Sequence, residues 1–172
     1  AWLADSCGRV ARRDGDDRKL VRRRLGWKQR PLPLLVNLSL LSDVGSWPDG
    51  RRLLDEIVDT FPPELRERYP AGYFEKELRK GRCLVLLDGF DELGSRAARG
   101  KMARLIDDMA GSYQPRGRNR NLFVVSTRIV GYEGQLNGYG FTVRTVDELD
   151  DDAIRMLVER RYIGWRKRTR GA

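Results

Sequence analysis

Apolar residues fall into four runs of strand length: Leu32–Leu38, Cys83–Leu87, Leu122–Thr127 and Phe141–Val146. Cys83–Leu87 and Leu122–Thr127 are nearly continuous rather than alternating, the pattern of strands buried on both faces of a parallel sheet, so helices are expected to cover both sides. Between the runs the period lengthens to that of a helix. Arg51–Phe61, Tyr73–Lys80, Arg96–Tyr113 and Asp150–Tyr162 read as helices, with Met102, Leu105, Ile106 and Met109 on one stripe of the third. Trp2–Leu25 reads as a further helix broken near Asp14-Gly15-Asp16. Polar Gln114–Asn121, with Pro115 and Gly117, reads as a connecting loop. The alternation predicts an α/β fold: a doubly wound, mainly parallel sheet with flanking helices.

At 172 residues, 40% hydrophobic and 34% charged, the chain fits one globular domain. No uncharged apolar run approaches the roughly 18 residues of a bilayer span, and no secretory signal pattern opens the sequence, so a cytoplasmic protein without a membrane partner is expected. Cys7 and Cys83 form neither a CxxC motif nor a disulfide framework. Histidine is absent, which removes Ser-His-Asp triads and HExxH zinc sites and leaves proton transfer to carboxylates. The net charge of +9 is uneven, about +6 over residues 1–30, about −3 over 31–152 and about +6 over 153–172. Arg22-Arg23-Arg24 and Arg166-Lys167-Arg168 could contact nucleic acid, but no aromatic or glycine pattern of a nucleic-acid module accompanies them, and a solvated helix face is the better reading.

The sharpest chemistry is the burst of acids in Cys83-Leu84-Val85-Leu86-Leu87-Asp88-Gly89-Phe90-Asp91-Glu92-Leu93. In open α/β sheets ligands bind outside the carboxyl ends of the strands, where this run delivers its acids. Asp88 is placed to hold Mg²⁺ through a water, and Glu92 or Asp91 to polarise an attacking water. A polar turn that merely caps the next helix would explain one acid better than three around a glycine. A dehalogenase-type phosphatase needs two aspartates one residue apart, which Asp88 and Asp91 are not. The run Leu122–Thr127 ends in Ser126, Thr127 and Arg128, which places a guanidinium beside the acids. It could meet a terminal phosphate or pair with the acids, and the two roles are compatible.

The segment Leu86–Leu93 resembles the Walker B of NACHT domains, the signalling NTPases of the STAND group. Three further stretches agree in order: Pro31–Leu38 with the strand after the P-loop helix, Ser126–Tyr132 with the first sensor strand, and Leu149–Arg160 with the start of the small helical subdomain. The resemblance implies a P-loop NTPase sheet that is incomplete here, lacking its first central strand. About residues 1–30 would follow the P-loop, 31–146 would form the sheet core with Walker B and sensor arginine, and 147–172 would open the helical subdomain. It also implies Asp88 on Mg²⁺, Glu92 and Asp91 on water, and Ser126, Thr127 and Arg128 on the nucleotide, ATP with GTP left open.

No GxxxxGK[ST] occurs, and the family's P-loop would lie before Ala1, so the chain reads as a fragment. The expected parent is an ATP-binding, slowly hydrolysing signalling switch that oligomerises to control an effector, with effector and sensor domains elsewhere. The fragment alone is expected to be inactive. The alternative is a degenerate, non-catalytic NTPase-fold module for protein contacts.

Overall fold

The computed structural model describes residues 31–41, 43–115 and 120–159; the helix expected over Trp2–Leu25 and both basic triplets lie outside them. The chain divides into two units, Ala1–Phe141 and Thr142–Ala172.

In the first unit, β1 (Leu32–Asn37) buries Leu34 and Val36 and exposes Pro33, Leu35 and Asn37. A 3-10 turn over Leu38–Leu40 follows, capped by the Asn37 side chain, and a second covers Val44–Ser46. Helix α1 (Gly50–Asp59) begins where the Asp49 carboxylate accepts the Arg52 N–H at 3.0 Å, and it buries Leu53, Leu54, Ile57 and Val58. Each fully buried Leu or Ile on that stripe contributes roughly 1.5–3 kcal/mol. Helix α2 (Pro63–Arg68) starts on a proline and buries nothing, whereas α3 (Ala71–Arg79) buries Phe74 and Leu78.

Strand β2 (Cys83–Asp88) is buried along its length except at Asp88. Helix α4 (Arg96–Ser112) begins at Ser95, whose hydroxyl accepts the Ala98 N–H, and buries Met102, Leu105, Ile106 and Met109, the stripe expected from its spacing. Strand β3 (Leu122–Val125) completes a parallel sheet of order β1-β2-β3. The core joins one face of this sheet, through Leu34, Val36, Cys83, Val85 and Leu87, to α1, α3 and α4. Among the described residues the fold is thus α/β, with a three-stranded parallel sheet and flanking helices.

Two expectations are corrected. β3 is half-buried rather than enclosed, because β2 is its only strand neighbour among the described residues. Phe141–Val146 forms no strand: β-branched residues favour extended backbone, but a strand needs a partner ladder, and Val143 and Val146 are 54% and 92% exposed. In the second unit, residues 151–159 form helix α5, started by the Asp150 carboxylate accepting the Ala153 N–H at 2.7 Å. No helix among the described residues is long and apolar enough to cross a membrane.

Candidate functional site

Because the strands run parallel, their carboxyl ends share one edge of the sheet, and the polar residues that close each apolar run meet there. Asn37 ends β1 directly opposite Asp88, which ends β2. Gly89 then turns the chain with φ +78°, a conformation that L side chains rarely adopt, and a 3-10 turn over Phe90–Glu92 follows. Phe90 is driven into the core, which throws Asp91 and Glu92 back across the strand ends.

The end of β3 is laced to that turn. Ser126 donates its N–H to the Leu87 carbonyl at 2.9 Å and accepts the Phe90 N–H on its own carbonyl at 3.0 Å. Its hydroxyl accepts the Gly89 N–H at 3.2 Å and donates to the Asp88 carboxylate. Asp88 is therefore held from one oxygen, while its side chain stays at the solvent edge.

Arg128 lies against both remaining acids. Its N–H donates to Asp91 Oδ1 at 3.0 Å, its Nε stands 3.5 Å from Asp91 Oδ2, and its Nη2 stands 3.9 Å from Glu92 Oε1. The Arg128 side chain is 78% exposed, Asp91 only 11% and Glu92 42%. Asp91 is thus committed to Arg128, whereas Glu92 keeps an accessible carboxylate. Thr127 is half-buried, with its hydroxyl on the Arg128 carbonyl at 3.3 Å. The structure brings together Asp88, Asp91, Glu92, Ser126 and Arg128, with Thr127 beside them.

Two residues beyond the expected site residues also take part, Asn37 and the Gly131 that closes the stretch likened to a sensor strand. Asn37 crowds Gly89: its Oδ1 would lie 3.4 Å from a Cβ there, beside Glu92 Oε2 at 3.1 Å. The polar end of an otherwise apolar run was the available signal. Gly131 packs on Asp91, where any Cβ would run into the aspartate's own Cβ. Beside the acids, a cleft of about 330 Å³ opens between the two 3-10 turns after β1 and the start of α4, with Ser39, Asp43 and Glu92 on its wall. Among the described residues no three carboxylates or thiols converge as a metal cage.

No protein-family model, curated protein or solved structure matches the chain.

Proposed function

We propose that this chain supplies the Walker B strand and sensor arginine of a NACHT-type P-loop NTPase, within a doubly wound sheet whose phosphate-binding loop and first central strand lie outside it. The observation that carries the reading is the convergence of Asp88, Glu92 and Arg128 on the carboxyl edge of a parallel sheet, from two strands far apart in sequence. That edge is where open α/β sheets bind ligands.

The residues fit a hydrated Mg²⁺. Such an ion dehydrates reluctantly and takes one or two carboxylates plus phosphates rather than a protein cage, which agrees with the solvent-facing Asp88 at the end of its strand. When bound, Mg²⁺ neutralises charge on the β- and γ-phosphates. Asp88, oriented by the Ser126 hydroxyl, would hold it through water. Glu92, half-exposed and unclaimed by any short hydrogen bond to a cation, would orient the attacking water and take its proton. Arg128 would offer paired N–H donors to the terminal phosphate. The parent would then be a cytoplasmic ATP-driven signalling switch that assembles into oligomers.

One observation favours the non-catalytic alternative: Arg128 already faces two carboxylates, as a structural arginine would. Steady-state ATP hydrolysis by the parent protein separates the two. Glu92→Gln should leave nucleotide binding within about twofold and lower turnover by roughly 10²–10⁴, the usual worth of a general base. Equal turnover for wild type and variant would favour the scaffold reading.

A further inference from the structure

We propose that Asp91 is a positioning residue for Arg128, and that Gly131 is the matching space that lets it act. The first part deepens the nucleotide reading above; the contact itself stands independently of it.

Both oxygens of Asp91 face one residue. Oδ1 takes the Arg128 main-chain N–H at 3.0 Å, and Oδ2 lies 3.5 Å from the guanidinium Nε. Holding the backbone and the near side of the guanidinium at once restrains a long side chain at two points, while the group as a whole stays 78% exposed. Glu92, at 3.9 Å from Nη2, adds charge without comparable contact. A freely rotating arginine would lose considerable side-chain entropy on meeting a phosphate, and one already anchored loses less.

Gly131 supplies the second observation. Its φ is not positive, so nothing in the backbone there calls for glycine. Space does: a Cβ at position 131 would collide with Asp91 Cβ. The 3-10 turn Ile129–Gly131, closed by the Gly131 N–H on the Arg128 carbonyl at 3.1 Å, carries that glycine back onto the aspartate. Arg128, Asp91 and Gly131 therefore form one unit in which the acid is gripped between the arginine and the turn behind it. This leaves Glu92 as the carboxylate that works on water.

The test uses two readouts. In the 172-residue chain, amide hydrogen exchange at Arg128 should speed up roughly tenfold or more in Asp91→Ala and in Gly131→Ala, and change little in Asp91→Asn, which keeps the acceptor. Glu92→Gln should leave that amide unchanged. Equal exchange at Arg128 in wild type, Asp91→Ala and Gly131→Ala overturns the proposal. In the parent protein, the preference for ATP over ADP should fall several-fold in both Asp91→Ala and Gly131→Ala, approaching Arg128→Ala. If Arg128→Ala abolishes the preference while those two variants keep it in full, Asp91 does not position the arginine and the proposal fails. If the exchange changes appear but wild type shows no preference at all, the grip on Arg128 is upheld and the nucleotide reading is what fails.

Discussion

At the scale of single residues, burial decides what a side chain can do. The Cys83 thiol, first residue of β2 and fully enclosed, is pushed up to about 12, chiefly by burial and then by the charge of Glu77. It is therefore inert as a nucleophile, because the thiolate is the reactive form. Its pKa is raised, so between the ordinary value of 9.0 and about 12 the unfolded chain has lost a proton that the folded chain retains. Stability must then fall as pH rises through that window. Tyr113, raised mainly by its own burial, pulls the same way. We expect the urea midpoint to decline above about pH 9, and Cys83→Ala, though less stable at neutral pH, to decline less steeply. Identical slopes for the two proteins would show that the thiol is not the group responsible. Glu75 sits at the opposite end of the scale, its carboxyl lowered by the hydrogen bond from Arg79, so its contribution is present above the usual carboxylate range and is lost in acid.

At the scale of elements, helix α1 meets α4 almost backbone to backbone. The Gly50 N–H donates to Asp108 Oδ2 at 2.6 Å, satisfying one of the donors a helix start leaves free. A Cβ on Gly50 would fall 2.7 Å from Met109 Cα and 2.9 Å from the Leu105 carbonyl oxygen. Helix propensity favours Gly→Ala by up to about 1 kcal/mol, but the obstacle is main chain, which cannot rotate away. Overpacking costs roughly 1–3 kcal/mol and wins. Gly50→Ala should therefore lower the urea midpoint at unchanged slope; a midpoint raised by the substitution would mean the helices separate freely. The same contrast explains what was legible beforehand. β2 and α4 announced themselves because burial writes a periodic apolar pattern, and Asp88 because acids end that run. Helix α2 was invisible, since none of its residues is buried. Asn121 looked like loop, yet it accepts the Cys83 N–H and donates to the carbonyls of Leu78 and Tyr113. Gly131 likewise matters through Asp91, a partner distant in sequence, whereas Asn37 is marked locally only as the polar end of an apolar run.

At the scale of the whole molecule, the two edges of the sheet are unequal. β1 carries Pro33, which has no N–H to offer, and proline is one of the ways natural edges are blunted. β3 reads Leu-Phe-Val-Val, with neither proline nor charge, and among the described residues no strand pairs with its outer side. The segment Phe141–Val146, whose composition suits a strand, does not supply one. Unpaired N–H and C=O groups cost of order 1–3 kcal/mol each where water is kept away, against a total margin of about 5–15 kcal/mol for a domain. The 172-residue chain should therefore self-associate through β3 as its concentration rises. Sedimentation velocity across a concentration series checks this, with Leu122→Lys as the probe, because Leu122 is 37% exposed and a lysine there can reach solvent while opposing a second copy. Leu40→Lys, on the 3-10 turn after β1 and 65% exposed, removes more exposed apolar surface without touching that edge. Leu122→Lys should hold the chain monomeric at concentrations where wild type and Leu40→Lys associate. Equal protection by the two lysines would assign the association to general surface hydrophobicity and return β3 to being an ordinary edge.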